Sequence, residues 1–427
     1  MTLVSLGKTS ITLAQIQTLN AKALVVAPLT PVYEVWPKEI EKWSDFNDLK
    51  ISVLHGPKKQ DALKTKADIH VINYDGLPWL EANLSKKSAY DLLVLDESTR
   101  AKNTNTERYK ILRRLLPRFG RRAILTGTPA PRSMLDLFGQ IFMLDGGERL
   151  GKFVTHFRRR FFHEIRQYNY SEWVLREGAD KEIIEAISDI VLTLKEEDHL
   201  VMPKLFHNPI MVQLSKSVRT LYDEFETEFI TRIGSEYLTA ANAAVLGNKL
   251  RQLVGGCVYV DGKPEFVHTA KLDALEDLIE EQSGQPLLVA VAFLHEIELI
   301  RRQLGPLPYV GGGVSPKEKT LIFAEWNAGK IPVLLAHPAS IARGPNLQHG
   351  GSAICWYSLT WDLEDFIQFT KRIHRQGQKK PVVIHYLLAE NTIDARVQEV
   401  LAAKNQSQIA LLNALKRGKQ RGRIERS

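Results

Sequence analysis

Short runs of apolar and β-branched residues alternate with amphipathic stretches along the first 145 residues. Two of those stretches, VYEVWPKEIEKW (32–43) and ERYKILRRLLPRF (107–119), are compatible with helices. Buried strands that alternate with helices are typical of a parallel sheet covered on both faces. The pattern therefore predicts an α/β lobe, whose strand-like runs read ALVVAP (23–28), ISVLHG (51–56), IHVINY (69–74), DLLVLDE (91–97) and RAILTGTP (122–129).

The same alternation starts again at about residue 268. KLDALEDLIEEQ (271–282) and LHEIELIRRQL (294–304) have the spacing of amphipathic helices. Strands are predicted at QPLLVAVAF (285–293), IPVLLAHP (331–338), SAICWYS (352–358) and PVVIHYLL (381–388). A second α/β lobe is therefore predicted, and a length of 427 residues agrees with more than one domain.

Composition narrows the function classes. No apolar run is long enough to span a bilayer, and the two cysteines, Cys257 and Cys355, lie far apart without a C-x-x-C spacing, which fits a reducing, cytoplasmic compartment. The net charge of +8 favours a polyanionic partner, and nucleic acid is the leading one. Each basic cluster can also be read as a solvated face; the clusters are Arg113, Arg114, Arg118, Arg121 and Arg122, then Arg158, Arg159 and Arg160, then the tail LKRGKQRGRIERS.

The N-terminal stretch MTLVSLGKTSITL contains Gly7-Lys8-Thr9, the rear half of a phosphate-binding loop. The full pattern needs a glycine where Thr2 stands, so a chance turn is the alternative reading. Asp96 follows an apolar strand and suits Mg²⁺ binding together with the Thr9 hydroxyl, while Glu97 is the candidate to orient the attacking water. Thr126-Gly127-Thr128 ends the next strand, and ligands sit at such carboxyl ends.

A further candidate lies in QFTKRIHRQGQ, where Gln368, Arg372 and Arg375 follow a Q-x-x-x-R-x-x-R spacing. On a helix these positions share one face, and two arginines there could reach a phosphate as arginine fingers do. A solvated basic helix is the alternative.

With these motifs in order, the chain resembles the Swi/Snf-type helicase-like ATPases of helicase superfamily two over nearly its whole length. The compact form, with short insertions, is similar to bacterial and phage members. The matching stretches are GKT for motif I, VVAPLTPVYEVWPKEIEKW for motif Ia, DESTRAKN for motif II, LTGTP for motif III, FRRRFF and LRQLVGG in the middle, FAEWNAGKIPVLLAHPASIARGPNLQHGG leading into motif V, and TWDLEDFIQFTKRIHRQGQ for motif VI.

The resemblance implies two RecA-like parallel-sheet lobes with a mostly helical insertion and linker, ATP between the lobes, and double-stranded DNA across both. The expected divisions are an ATP-binding lobe at 1–149, the insertion and linker at 150–267, a helicase C-terminal lobe at 268–415 and a basic flexible tail at 416–427. The implied activity is ATP hydrolysis coupled to translocation on, or remodelling of, DNA in a bacterial cell or phage-infected host.

The resemblance also implies roles for individual residues. Lys8 would contact the β- and γ-phosphates, Thr9 and Asp96 would bind Mg²⁺, and Glu97 would activate water. Arg372 and Arg375 would complete the site. The remaining expected positions are Gly7, Gln368 and Gly344 for ATP binding, Thr126, Gly127 and Thr128 for coupling, and Arg158, Arg159 and Arg160 for DNA binding.

Several positions depart from the family pattern. Ser5 stands for a glycine of the phosphate loop, Pro345 for a leucine of motif V, and Thr99 for the usual residue of motif II. No adenine-contacting segment precedes motif I, so the expectation is weak ATP binding unless a protein partner or a missing N-terminal segment completes the site. The alternative function is a catalytically weak or inactive nucleic-acid-binding module. A small-molecule kinase explains neither the second lobe nor motif VI.

Overall fold

The computed structural model describes residues 7–85, 90–167, 170–194, 200–233, 240–260, 263–341, 344 and 346–424, with only the backbone given at 166–167, 170–172, 228–233, 240–244, 260 and 413–424. The chain divides into two compact units. Unit 1 comprises residues 1–164, 173–200 and 404–427, and unit 2 comprises residues 165–172 and 201–403. Within the described ranges, no helix is long and apolar enough to cross a membrane.

The core of unit 1 is a five-stranded parallel sheet of order β2-β3-β1-β4-β5. All five strands predicted from the sequence are confirmed: β1 (Ala23–Ala27), β2 (Ile51–Val53), β3 (Ile69–Asn73), β4 (Leu92–Asp96) and β5 (Arg121–Leu125). Every residue of β1, β3 and β4 is buried. This explains why β1 and the first four residues of β4 read as continuous apolar runs rather than alternating ones, while β3 also buries the polar His70 and Asn73.

Helices cover both faces of this sheet. Successive side chains of a strand point to opposite faces, so Val25 joins one apolar cluster with Leu13 and Trp36, while Val26 joins another with Leu112 and Phe138. Up to residue 194, the helices that the structure describes in unit 1 are α1 (Lys8–Thr18), α2 (Leu29–Glu34), α3 (Trp36–Lys42), α4 (Lys59–Lys64), α5 (Leu77–Asn83), α6 (Glu107–Leu115), α7 (Leu135–Asp145), α8 (Val154–Phe161) and α9 (Ala179–Ile187).

The single helix expected over residues 32–43 is instead a pair, α2 and α3. The break falls at Val35, and Pro37 lies in the first turn of α3. Proline has no N–H group to continue a preceding helix and is well suited to start a new one.

The region 150–267 contains the four helices α8, α9, α10 (Lys216–Ile233) and α11 (Ala240–Val254). Among the described residues of this region there are also five strands that the sequence pattern does not predict: β6 (Phe162–Gln167), β7 (Tyr170–Leu175), β8 (Leu205–Val212), β9 (Cys257–Val260) and β10 (Lys263–Phe266). Of these, β8 pairs over its whole length with β15 (Val382–Ala389) of the second sheet, so the second sheet begins before the expected division at residue 268. An edge strand tolerates a proline such as Pro209, which obscured β8 in the sequence.

The core of unit 2 is a six-stranded parallel sheet of order β12-β13-β11-β14-β15-β8. The strands predicted in this half are confirmed as β11 (Leu287–Ala290), β13 (Val333–Ala336), β14 (Ala353–Trp356) and β15 (Val382–Ala389), and β12 (Tyr309–Val310) is added. The helices that follow α11 are α12 (Ala270–Glu281), α13 (Leu294–Leu304), α14 (Pro316–Asn327), α15 (Pro338–Ile341), α16 (Leu363–Thr370) and α17 (Ile393–Ile424).

The backbone of the basic tail that starts at residue 416 is helical up to Ile424, where it continues α17. Lysine, arginine and glutamine are good helix formers, and in this stretch they outweigh the helix-weakening glycines.

An ion pair is buried in unit 2. The Lys271 ammonium lies 2.6 Å from Asp394 Oδ2 and donates to the Tyr357 carbonyl oxygen at 3.0 Å. The same Asp394 oxygen accepts a hydrogen bond from the Ala389 amide at 3.0 Å. Both charges are almost inaccessible to solvent, so each depends on the other for its partner.

Lys271→Met is therefore expected to lower the free energy of unfolding by about 3 kcal/mol or more, because it leaves the Asp394 carboxylate buried without its cation. Chemical denaturation followed by circular dichroism measures the change, with the exposed Lys380→Met as the matched control. The double variant Lys271→Met/Asp394→Leu should recover part of the loss. A double variant no more stable than Lys271→Met would contradict this account.

His295 is a buried histidine whose ring is only 1% exposed. It stacks on Phe293 with ring centroids 5.3 Å apart and meets Tyr259 edge-on at 5.5 Å. Neither ring nitrogen has a hydrogen-bond partner within the described residues. Burial lowers the pKa of His295 to about 4.

This histidine should make unit 2 sensitive to acid. In the unfolded chain His295 takes up a proton below its ordinary pKa of about 6.5, whereas in the folded chain it stays neutral down to about pH 4. The free energy of unfolding is therefore unaffected by this group above pH 6.5 and falls as the pH drops from 6.5 toward 4. The loss is at most about 3 kcal/mol. His295→Phe is expected to flatten the fall in unfolding free energy between pH 6.5 and 4, measured by urea denaturation at several pH values. The exposed His349→Phe should leave the slope as it is.

Candidate nucleotide site

The Gly-Lys-Thr stretch forms the start of α1. Gly7 precedes the helix with a left-handed φ of 66°, and a Cβ atom there would lie 2.7 Å from Ser10 Oγ. A glycine is therefore required at this turn. Lys8 is buried, and its ammonium lies 3.5 Å from Glu97 Oε1. Since Lys8 and Glu97 are far apart in sequence, the fold brings two of the predicted site residues together.

Asp96 ends β4 as a buried carboxylate. Its Oδ2 accepts a hydrogen bond from Trp36 Nε1 at 3.1 Å, and its Oδ1 accepts one from the Glu97 amide at 3.1 Å. Burial raises the pKa of Asp96 to about 6, an effect that the nearby Lys8 cation opposes. The role of Trp36 was not predicted, although its indole fixes the orientation of the acid.

Glu97 has an unusual backbone, with φ 51° and ψ 59°. This left-handed conformation is unfavourable for a residue with a Cβ atom. The Tyr74 hydroxyl donates a hydrogen bond to the Asp96 carbonyl oxygen at 2.9 Å and so stabilises the backbone of this turn. The Oε2 atom of Glu97 is buried and has no hydrogen-bond partner in the described part of the chain. A strained turn thus presents an unsatisfied carboxylate oxygen beside Lys8, an arrangement suited to accept a proton from water.

The residues expected to bind Mg²⁺ supply hard oxygen donors. Asp96 offers a carboxylate and Thr9, half-buried in the first turn of α1, offers a hydroxyl. No group of three or more histidine, cysteine or acidic side chains arranged for a metal occurs in the described residues. Magnesium is commonly held by one or two protein oxygens together with substrate phosphates, so this donor set fits a nucleotide-borne Mg²⁺.

Thr126, Gly127 and Thr128 lie buried directly after β5. The Thr128 amide donates to Thr126 Oγ1 at 3.1 Å, whereas Thr128 Oγ1 has no partner among the residues described. Strand β5 pairs in parallel with β4, and Asp96 is aligned with Leu125. The Thr-Gly-Thr loop therefore lies adjacent to the turn that contains Asp96 and Glu97, at the same edge of the sheet.

The motif VI residues lie in unit 2, and the expectation that they share a helix face is wrong. Helix α16 ends at Thr370, so Gln368 is helical while Arg372 and Arg375 lie in the turns that follow. Arg372 is buried and folds back: Nη1 donates to the Gly344 carbonyl oxygen at 2.6 Å, and Nη2 donates to Gln368 Oε1 at 3.0 Å. Three expected site residues, Gln368, Gly344 and Arg372, are thus in direct contact.

Arg375 differs from Arg372. Its side chain is half-buried, and Nη1 donates to the Asn346 side-chain oxygen. The neighbouring Pro345 and the phosphate-loop position Ser5 lie outside the described residues. Thr99 is described, and it is buried in the short 3₁₀ turn Ser98–Ala101.

The three arginines expected at DNA do not form one surface. Arg158 is half-buried with its guanidinium 5.6 Å from the Trp173 ring centroid. Arg160 is exposed but lies over the Phe161 ring and 3.9 Å from Glu182. Arg159 is exposed without an ion pair in the described structure, which leaves it as the most accessible cation of the three.

Part of the other basic cluster serves internal contacts. Arg118 donates to the Leu84 carbonyl oxygen at 3.3 Å, and Arg122 donates to the carbonyl oxygens of Leu116 and Leu144 at 3.3 and 3.5 Å. Arg114 pairs with the Glu81 carboxylate at 2.6 Å. Part of this charge run therefore makes contacts within the protein.

Comparison with known proteins places these motifs in a family. The model of the SNF2-related domain matches residues 1–255, and that of the helicase conserved C-terminal domain matches residues 270–377. Putative protein p41 of Acyrthosiphon pisum secondary endosymbiont phage 1 is 34% identical over 97% of this chain and 94% of its own length. This relative fits the phage-like form expected from the sequence.

More distant relatives are longer. The DNA repair and recombination protein RDH54 of Saccharomyces cerevisiae is 25% identical over 90% of this chain and 44% of its own length. The human DNA annealing helicase and endonuclease ZRANB3 is 26% identical over 92% of this chain and 36% of its own length. The chain thus spans less than half of either protein.

The solved structure of the Sulfolobus solfataricus SWI2/SNF2 ATPase core in complex with dsDNA is 21% identical and aligns over 96% of this chain and 89% of that chain, with a TM-score of 0.40. The family match itself covers more than half of the sequence, and it contains the lysine, the paired acids and the Thr-Gly-Thr loop that the fold gathers. The chain belongs to the SNF2-related family of helicase-like ATPases.

Proposed function

We propose that this chain is a DNA-dependent ATPase that couples ATP hydrolysis to translocation on, or remodelling of, double-stranded DNA. The observation that carries the proposal is the Lys8–Glu97 pair, in which a phosphate-loop lysine lies 3.5 Å from an acid whose second oxygen is buried and unsatisfied. The ATP-binding lobe is the sheet of unit 1, and the helicase C-terminal lobe is the sheet of unit 2.

Each residue has a separate task in this proposal. The amides at the start of α1 and the Lys8 ammonium bind the phosphates, as helix N-termini and phosphate-loop lysines do. Glu97 orients the attacking water and accepts its proton. Asp96 and Thr9 would hold Mg²⁺, which supplies positive charge to the phosphates when bound. Arg375 adds positive charge at the γ-phosphate, while Arg372 holds Gln368 and the Gly344 backbone in place.

The proposal that DNA is the partner rests on charge and relatives. The net charge is +8, and Arg159 offers an exposed cation on α8. The yeast and human relatives carry DNA repair and DNA annealing in their names. An inactive nucleic-acid-binding module is not favoured, because such a module would have no use for a buried lysine and a strained acid held side by side.

The decisive experiment measures ATP hydrolysis by the purified chain without nucleic acid, with single-stranded DNA and with double-stranded DNA. Double-stranded DNA is expected to stimulate turnover most, and DNA affinity should fall steeply between 50 and 200 mM salt because phosphate contacts dominate it. A rate of ATP hydrolysis that is the same with and without DNA would overturn the proposal. DNA binding without any ATP hydrolysis would also overturn it and would support the inactive nucleic-acid-binding module.

A further inference from the structure

Helix α7 lies directly against the turn that follows the paired acids. A Cβ atom on Gly139 would lie 2.5 Å from the Lys102 carbonyl oxygen and 2.7 Å from that of Ala101. Neither atom belongs to a flexible side chain, so only a glycine allows this approach. The backbone of α7 is therefore in direct contact with the end of the 3₁₀ turn Ser98–Ala101 and with Lys102.

The next residue of α7, Gln140, bonds to both loops of the candidate site. Its side chain is fully buried, and Oε1 accepts a hydrogen bond from Ser98 Oγ at 2.8 Å. Its Nε2 donates to the Pro129 carbonyl oxygen at 2.6 Å and to the Asp136 carbonyl oxygen at 2.8 Å. Ser98 directly follows the water-orienting Glu97, and Pro129 directly follows the Thr-Gly-Thr loop. Both N–H donors of the amide are used, so the side chain has one orientation.

A second link runs in parallel one helical turn earlier. Asp136 Oδ2 lies 3.4 Å from the Lys102 ammonium and accepts a hydrogen bond from the Arg132 amide at 3.0 Å. Lys102 belongs to the segment after the acids, and Arg132 belongs to the segment after the Thr-Gly-Thr loop. The same face of α7 is thus tied twice to each of the two segments.

We infer that Gln140 is a positioning residue that couples the Thr-Gly-Thr loop to Glu97 through Ser98. The inference rests on the proposed function, because the motion to be coupled is the one that DNA binding imposes on the Thr-Gly-Thr loop. When Pro129 is displaced, its hydrogen bond to Gln140 Nε2 displaces the Gln140 side chain. The hydrogen bond between Gln140 Oε1 and Ser98 then displaces Ser98 and the adjoining backbone of Glu97. The ordinary alternative is a buried polar side chain that only stabilises the fold.

Two variants cut the link at opposite ends. Gln140→Glu keeps an acceptor for Ser98 but has no N–H to donate to Pro129, and Ser98→Ala removes the bond at the acid-bearing turn. Each is expected to lower the ratio of DNA-stimulated to basal kcat at least fivefold, with KM for ATP changed less than twofold. The double variant should be no worse than either single one, because a chain of contacts cut once is already broken.

The matched control is Ile141→Val, which removes one methylene group from the buried neighbour of Gln140 on α7. Ile141→Val should lower Tm by the modest amount that one lost buried methylene group costs and leave the stimulation ratio at the parent value. Two results would show that Gln140 is structural only. In the first, the stimulation ratio falls in step with Tm across all four variants. In the second, the fold-losses of the two single variants multiply in the double variant.

Hydrogen exchange separates this inference from the proposed function. In Gln140→Glu, amides of both segments, 97–102 and 126–132, should exchange faster, while those of β1 keep the parent rate; this readout needs no ATP hydrolysis. If the parent is not stimulated by DNA yet both segments loosen together, the proposed function fails and the link through Gln140 stands. Faster exchange in only one segment would overturn the link.

Discussion

Glu97→Gln is expected to lower DNA-stimulated ATP turnover roughly 100-fold or more while ATP binding persists. The amide has nearly the shape of the carboxylate but cannot accept the proton of the attacking water. The buried Oε2 atom, which has no partner among the described residues, is the atom whose basicity is lost. Single-turnover hydrolysis with a saturating amount of double-stranded DNA measures the chemical step, and a fluorescent ATP analogue measures binding.

The matched control for this prediction is Glu107→Gln, which changes an exposed glutamate on α6 of the same unit. It should hydrolyse ATP at the parent rate. Because Glu97 also lies beside Lys8, loss of its charge could instead act through nucleotide affinity. A variant with normal turnover at saturating ATP and a raised KM would show that Glu97 holds the lysine and does not activate water.

Arg375→Ala is expected to reduce DNA-stimulated hydrolysis about 10³-fold or more, since arginine fingers contribute 10³–10⁵ in rate. Arg372 is buried and donates to the Gly344 carbonyl oxygen and to Gln368, whereas Arg375 is half-buried and donates to the Asn346 side chain. Arg375 is therefore the more solvent-accessible of the two arginines and the one proposed to reach a phosphate. Turnover and DNA affinity are measured on the same preparation.

DNA affinity should change little in Arg375→Ala, and Arg302→Ala, an exposed arginine on α13 of the same unit, should behave as the parent in both assays. Arg375→Lys tests geometry, because a lysine keeps the charge but lacks the planar fork of an arginine. If Arg375→Ala binds DNA weakly and hydrolyses ATP normally once bound, Arg375 is a DNA contact.

The central strands of the two sheets, such as β1, β4, β11 and β14, could be predicted from the sequence because they are short, buried on both faces and flanked by turn-forming or acidic residues. The end of α16 could not. The residues after Thr370 include arginine and isoleucine, which continue a helix pattern, but Arg372 turns back to bind Gly344, a contact made between distant segments of the chain. Side-chain contacts of this kind leave no mark on local periodicity.

The candidate site was predicted through its charged and phosphate-binding residues but without the groups that hold them. Trp36 and Tyr74 were visible only as apolar members of their segments, yet both bond to Asp96. Gln140 sits inside the apolar run LDLFGQIFML, where a polar residue signals only that a buried partner is needed. Its partner Ser98 lies 42 residues away, so only the fold identifies it.

The strand order of the first sheet has a consequence for synthesis of the chain. The central strand β1 has two apolar faces, and its neighbours β3 and β4 are both made after it, with Ala23 pairing to Ile69 and Leu92. At about 5–20 residues per second, β1 leaves the ribosome several seconds before β4 exists. A hydrophobic strand without neighbours invites aggregation, so chaperone capture of the nascent chain should begin early.

In the second sheet the interval between synthesis of paired strands is longer still, because the edge strand β8 has β15 as its neighbour in the described sheet, as in the pair Leu205–Val382. Any product that terminates before β15 leaves β8 as an unpaired strand. Such fragments should be degraded rapidly, so that the protein that accumulates consists of chains with both sheets complete.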